Sequence, residues 1–222
     1  MTKYLKIFIS RLLKIYIVLG LRASYRRRPI DLSEYIYLLP DQNPKFRRSL
    51  DIGSGPNPRN PFKSSEIFGV DIRSYDINAN VKKCLIGFDQ IPFENSYFDC
   101  VTAYDVLEHI PRFSKTNESS AFPFVSAINE VWRVLKVGGV FYSQTPCYPM
   151  KEVFQDPTHV NIMTEDTLRF YFAEQAWARI YGYVGSFQLI AEGWCGSHYF
   201  CILRKISDKP LCKMNEPQHE SI

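Results

Sequence analysis

The chain has 222 residues, 45% hydrophobic and 15% aromatic, enough to bury one substantial core, which excludes a disordered or fibrous protein. The formal net charge of +4 is mild, much of the basic excess lies in the first 28 residues, and no basic stripe follows residue 48, so no nucleic-acid partner is expected. Six cysteines at 84, 100, 147, 195, 201 and 212 form no Cys-x-x-Cys pair, which suits reduced thiols in a cytoplasmic protein without disulfide framework or metal site.

Residues 1–30 are expected to form a basic amphipathic helix. Lys3, Lys6, Ser10 and Lys14 recur at helical spacing and gather the polar groups on one face. The longest unbroken apolar run, Ile15 to Leu21, has seven residues, far short of the roughly 20 that span a bilayer. Charges interrupt the apolar stretch and no small-residue cleavage site follows, which argues against a cleaved signal. Two placements suit such a helix. One is packing on the domain or on a dimer mate. The other is an in-plane position on the inner membrane face, with residues 1–28 offering Lys and Arg, including Arg26-Arg27-Arg28, to lipid phosphates.

Residues 31–205 then read as one domain. Asp31 to Leu39 predicts a short helix stopped by Pro40, Arg47 to Ile52 a strand entering Gly-Ser-Gly, and Ile67 to Ile72 a second strand. Cys84 to Ile86 is a weak third strand and Phe98 to Tyr104 a fourth. Val125, Ile128, Val131, Trp132 and Leu135 form a helix-period stripe within Phe124 to Leu135, ended by Gly138-Gly139. Val140 to Gln144 is a fifth strand, and Thr164 is the expected N-cap of a helix reaching about Phe172. Phe187 to Ala191 and Tyr199 to Leu203 close the domain as a strand pair, and residues 206–222 form a polar tail. Strands alternating with helices and ending in a hairpin predict a Rossmann-like, doubly wound α/β fold. Its sheet would be seven-stranded and mostly parallel, with helices on both faces and an antiparallel C-terminal hairpin.

The chemistry gathers at the first strand end. Gly53-Ser54-Gly55 lets the backbone turn sharply where a Cβ would collide with a ligand. Asp71 ends the second strand, placed to accept both hydroxyls of a ribose. That much serves a nicotinamide dinucleotide equally well. Pro56-Asn57-Pro58-Arg59-Asn60-Pro61 then removes the third glycine and the helix start that would hold a pyrophosphate.

Six segments follow one another in a set order: Leu50-Asp51-Ile52-Gly53-Ser54-Gly55, Gly69-Val70-Asp71, Ile91-Pro92-Phe93, Phe98-Asp99, Asp105-Val106-Leu107-Glu108-His109 and Trp132 to Gly139. Together they resemble class I S-adenosylmethionine-dependent methyltransferases of the ubiquinone/menaquinone-biosynthesis-like type, over about residues 46 to 146. The resemblance implies S-adenosyl-L-methionine as cofactor. Asp51, Gly53, Ser54 and Gly55 would line its methionine and ribose side, Asp71 would hold the ribose, Ile72 would lie against adenine, and Tyr104 and Asp105 would close the methionine end. Relatives commonly carry an acid five positions before the proline of the Ile-Pro-Phe segment; here that position is Gly87, with Asp89 or a backbone carbonyl as the substitute adenine contact.

Methyl transfer to a hydroxyl needs alignment and a proton acceptor. Asp156-Pro157-Thr158-His159 follows the fifth strand and resembles an element of methyltransferases associated with bacterial surface-polysaccharide assembly. His159 is the expected base, hydrogen-bonded to and oriented by Asp156, with His109 as the runner-up; His198 on the closing hairpin reads as structural. The acceptor expected from this is a glycan or other small-molecule hydroxyl. The alternatives are a quinone-like carbon, an amine, or a non-catalytic cofactor-binding partner protein.

Overall fold

The computed structural model describes residues 30–75, 78–115 and 120–210, together with Ile9 and Leu12. The expected N-terminal helix, apart from those two exposed residues, and the tail from 211 onward lie outside the described residues. Among the described residues nine strands run in chain order: β1 (Arg48–Ile52), β2 (Glu66–Asp71), β3 (Val81–Lys83), β4 (Phe98–Tyr104), β5 (Ser114–Lys115), β6 (Ser120–Ala121), β7 (Leu135–Pro146), β8 (Phe187–Cys195) and β9 (His198–Lys205). Seven of them form one sheet in the order β3-β2-β1-β4-β7-β9-β8, parallel from β3 to β7 and antiparallel from β7 to β8. β5 and β6 pair in a small separate hairpin.

The two faces of this sheet are covered differently. One carries α1 (Pro123–Val134), whose apolar stripe buries Phe124, Ile128, Val131 and Trp132 against Leu50, Ile52, Val101 and Phe141. The other face, with Cys100, Val140, Tyr142 and Ile202, is covered by the 3₁₀ segment Leu32–Leu38 and by Phe62. Helices on both faces were expected; among the described residues of the 53–65 connection there is none. The prolines at 56, 58 and 61 remove backbone donors a helix needs. Instead the fully buried Arg47 guanidinium donates to the carbonyls of Asp41, Gln42 and Phe62 at 3.1, 3.1 and 2.6 Å and ties this irregular layer down.

Other differences have local causes. The third strand lies at Val81–Lys83, where it pairs with β2, and Cys84 to Ile86 passes on into a turn toward Gly87. The helix stripe stops one residue early: Leu135 is extended and opens β7, which runs to Pro146. Asp166–Leu168 is a single α-turn that widens into a π-turn at Arg169–Ala173; no side chain caps it, and the Thr164 N–H donates to the Thr167 hydroxyl while the Thr164 carbonyl accepts from the Thr167 N–H. Past β9 the chain is still fastened, with Asp208 bound by Lys205 at 2.6 Å and by the Ser96 hydroxyl at 2.8 Å. Arg133 clamps the Ile-Pro-Phe segment to α1 by donating to the carbonyls of Ile91 and Phe93 and to Glu130.

Candidate active site

A cleft of about 300 Å³ opens at the carboxyl ends of β1, β2 and β4, at the lower end of the roughly 300–1,000 Å³ usual for small-molecule sites. It is at this end of an open α/β sheet that ligands bind. Gly53 takes φ +66°, and a Cβ there would stand 2.8 Å from Val106 Cγ2, so glycine is required. The Gly55 N–H donates to Asp71 Oδ2 at 2.9 Å, which locks the turn to the end of β2. Asp71 Oδ1 accepts from the Arg73 N–H and the Tyr75 hydroxyl. A carboxylate has about four lone-pair sites, so Asp71 keeps room for a further donor. Ile72 and Phe88 line the same cleft with 58% and 50% of their surface exposed, apolar faces ready for a planar base.

Of the cofactor residues expected from sequence, Gly53, Asp71, Ile72 and Asp105 line this cleft and Asp51, Ser54, Gly55, Asp89 and Tyr104 do not. Strand alternation is the reason for two of them. Asp51 and Tyr104 stand on the opposite face from Leu50, Ile52 and Ala103. Asp51 is buried and accepts from the Arg59 N–H at 2.8 Å and the Thr102 hydroxyl at 2.6 Å; burial raises its pKa against those bonds. The Tyr104 ring lies 4.3 Å under the Arg59 guanidinium, and burial pushes its hydroxyl up to about 12. The Ser54 hydroxyl donates to the Gly55 carbonyl, inside the turn.

Gly87 and Asp89 now have physical explanations. Gly87 takes φ +90° and a Cβ there would meet the Pro123 carbonyl oxygen at 2.6 Å, so no acid can occupy the position without moving α1. Asp89 turns back to accept the Leu85 N–H at 2.8 Å, stabilising its own turn.

Beyond the cleft, three distant segments meet. Asp105, a non-glycine residue at φ +52°, and His109 line the cleft. The 158–162 segment is bound to them: Val160 and Asn161 donate backbone N–H groups to the Glu108 carbonyl, Asn161 Nδ2 donates to the Leu107 carbonyl, and Arg112 grips Asn161 and Ile162. The expected Asp156–His159 side-chain bond is replaced by another arrangement. Asp156 accepts from the Thr158 N–H and hydroxyl at 2.8 and 2.6 Å, which lowers its pKa, and that hydroxyl stands 3.0 Å from His109 Nδ1. A two-residue Asx turn satisfies Asp156 sooner than the ring one residue further on. His159 instead sets Nδ1 2.9 Å from the Val153 carbonyl, and its ring meets His109 edge to face at 4.9 Å.

Two further groups were not in the expected set. Glu108 is completely buried; its Oε2 accepts from Thr145 at 2.5 Å, its Oε1 lies 3.9 Å from His159 Nε2, and burial raises its pKa. His198 Nε2 stands 3.0 Å from Asp105 Oδ1, and that bond raises the histidine's pKa. Sequence spacing could have marked Glu108, which adjoins His109, but the β9 partner of Asp105 becomes visible only once β9 lies beside β7.

Residues 50–143 match the family described as Methyltransferase domain. The matched segment runs from β1 into β7, carries the cleft, and supports a methyltransferase that uses S-adenosylmethionine. Its fold is similar to that of an S-adenosylmethionine-dependent methyltransferase from Archaeoglobus fulgidus, at 18% identity and TM-score 0.51, over 78% of this chain and 91% of that one. It is also similar to one from Methanosarcina mazei, at 18% identity and TM-score 0.51, over 81% of this chain and 100% of the other. No curated protein matches this methyltransferase in sequence. The cofactor is S-adenosylmethionine, and the cleft suits it: an acid with an acceptor site to spare, exposed apolar walls and a turn with no room for a Cβ at Gly53 border one 300 Å³ space.

Proposed function

We propose that this methyltransferase transfers its methyl group to a hydroxyl of a glycan or another small-molecule acceptor. The observation that carries the reading is the cluster of Glu108, His109 and His159 at the end of the cleft, beside Asp105 and His198. Bound S-adenosylmethionine supplies an electrophilic methyl group on a sulfonium. An amine attacks such a carbon through its own lone pair, whereas a hydroxyl is a weak nucleophile until its proton is drawn away. Two imidazoles and a buried carboxylate around one point are suited to that task. In this reading Asp71 holds the ribose, Ile72 and Phe88 flank the base, and Asp105 closes the methionine end. Asp156 positions His109 through the Thr158 hydroxyl.

A second cavity of about 680 Å³ supports an acceptor with apolar faces. Its walls include Arg112, Phe113, Phe122, Phe170 and Trp177, and Arg112 also holds the 161–162 backbone of the cluster. Residues 1–28 would bring such an acceptor, if lipid-linked, to the inner membrane face. No helix among the described residues is long and apolar enough to cross a membrane.

The test is incubation of the full chain with labelled methyl donor and fractionated cell-envelope extract, followed by chemical analysis of the labelled product. An ether-linked methyl supports the reading; label on nitrogen or carbon overturns it.

A further inference from the structure

We propose that Glu108, His109 and His159 bind a divalent transition-metal ion, and that this ion takes the acceptor hydroxyl at the end of the cofactor cleft. One ligand atom from each residue already lies within 4.8 Å of the other two. Ligands bonded to such an ion at about 2.1 Å stand at most roughly 4.2 Å apart, so closing on it takes a shift of about half an ångström.

The carboxylate is the first argument. Glu108 is 0% exposed, and its Oε1 has no hydrogen-bond partner while Oε2 is held by Thr145. A buried carboxylate oxygen with unused lone pairs is costly, and a cation is the partner that satisfies it. His159 Nε2 faces that oxygen from 3.9 Å, beyond hydrogen-bond reach, so a proton between the two does not close the gap that an ion would fill.

The imidazoles are the second argument. His159 Nδ1 donates to the Val153 carbonyl, which leaves Nε2 with a free lone pair. His109 Nδ1 faces the carbonyl and the hydroxyl oxygen of Thr158, and that hydroxyl's proton is committed to Asp156. Nδ1 of His109 is therefore the donor, and its other nitrogen is free to ligate. Metal-binding histidines characteristically spend their second nitrogen on a carbonyl or a carboxylate-backed group in this way. Two imidazoles and one carboxylate suit zinc, manganese or iron(II) better than magnesium, and three protein ligands leave open positions for an acceptor.

This inference rests on the hydroxyl reading above for its catalytic half only. The acceptor oxygen binds the ion, which makes its proton acidic, and the proton leaves to solvent. The oxygen's electron pair forms the new C–O bond as the carbon–sulfur bond breaks. That bond's pair stays on sulfur, and the proton released balances the sulfonium charge lost.

The experiment treats the full-length protein with a chelator and titrates it separately with Zn²⁺, Mn²⁺ and Co²⁺, by calorimetry and by cobalt visible absorption. We expect one equivalent bound and cobalt bands of an imidazole-ligated site. His159→Ala and Glu108→Gln should each weaken binding by at least about 100-fold with S-adenosylhomocysteine affinity retained, and Thr145→Val by about tenfold. If Glu108→Gln loses cofactor binding, and so its fold, His109→Ala at the exposed edge of the cluster reads the same site. No ion bound by the wild-type chain, or undiminished binding in both histidine variants, overturns the proposal. Metal binding with methyl transfer to nitrogen or carbon leaves the site standing and removes the hydroxyl reading. Full-rate hydroxyl methylation by metal-free enzyme removes the ion's catalytic role.

Discussion

The cofactor end of the cleft and the proposed acceptor end are built by different means. The cofactor end comes from two neighbouring parallel strands and their turns: Gly53 and Gly55 after β1, Asp71 closing β2, linked by one N–H to carboxylate bond of 2.9 Å. Its parts stand close in sequence, and the strand ends alone position them. The acceptor end joins Asp105 to His109 after β4, Thr145 on β7, the 156–161 segment and His198 on β9. Side-chain bonds across these segments hold it together. A site of the first kind is fixed by backbone geometry; one of the second kind depends on every bond in the chain of contacts.

If the two ends are separable, variants should divide cleanly between turnover and cofactor affinity. His159 is outside the cleft wall and faces Glu108. His159→Ala should therefore lower turnover on the order of 10³-fold, with S-adenosylhomocysteine affinity unchanged by calorimetry. A parallel fall in affinity would show that the ends are one unit. Asp71→Ala should do the reverse. Losing hydrogen bonds to a charged acceptor costs about 1.5–3 kcal/mol each, so cofactor affinity should drop about 100-fold. Turnover at saturating cofactor should change far less, and equal losses in both would break the division.

Gly87 gives a smaller test of how local geometry overrides a sequence pattern. Gly87→Asp restores the acid that the resemblance leads one to expect, yet its Cβ would press on the Pro123 carbonyl at a φ of +90°. The outcome expected is a destabilisation of about 1–3 kcal/mol by urea melt, without tighter cofactor binding. Tighter binding with unchanged stability would mean that α1 yields easily.

The same contrast explains what was legible in the sequence. β1, β2 and β4 announce themselves as short stretches rich in apolar residues that lead into a glycine turn or an acid, and α1 because its face repeats every 3.6 residues. Gly53 and Asp71 follow from strand ends. Asp51 and Tyr104 do not, because a strand's two faces look alike when both are buried and only the packed partner (here Arg59) decides which way a side chain serves. The 53–65 layer carries no periodicity because its prolines break any regular element, and the bond from Arg47 to the Phe62 carbonyl that fastens it comes from outside the segment. Asp156 pairs with Thr158 where His159 was expected because the Asx turn uses its carboxylate while the Val153 carbonyl engages the His159 ring. Glu108 could have been marked by its neighbour His109, but its Thr145 bond spans 37 residues and the His198–Asp105 pair crosses the sheet, and no spacing rule encodes either contact.

The smallest expected effect concerns the link between His198 and Asp105, a side-chain pair that ties the β9 end to the cleft wall. Hydrogen bonding to Asp105 raises the His198 pKa above its ordinary 6.5. The folded protein thus holds this proton more tightly than the unfolded chain does. The resulting stabilisation is complete below the unfolded value and disappears as pH rises through the raised folded value. His198→Asn should therefore lower the urea midpoint modestly at about pH 6 and converge on the wild type at alkaline pH. Cofactor affinity, read in the same two buffers, shows whether the pair serves only the fold: a difference between variants at low pH that vanishes at high pH would place His198 in the working site. A difference that persists at both would instead reflect lost packing on β9, independent of the proton.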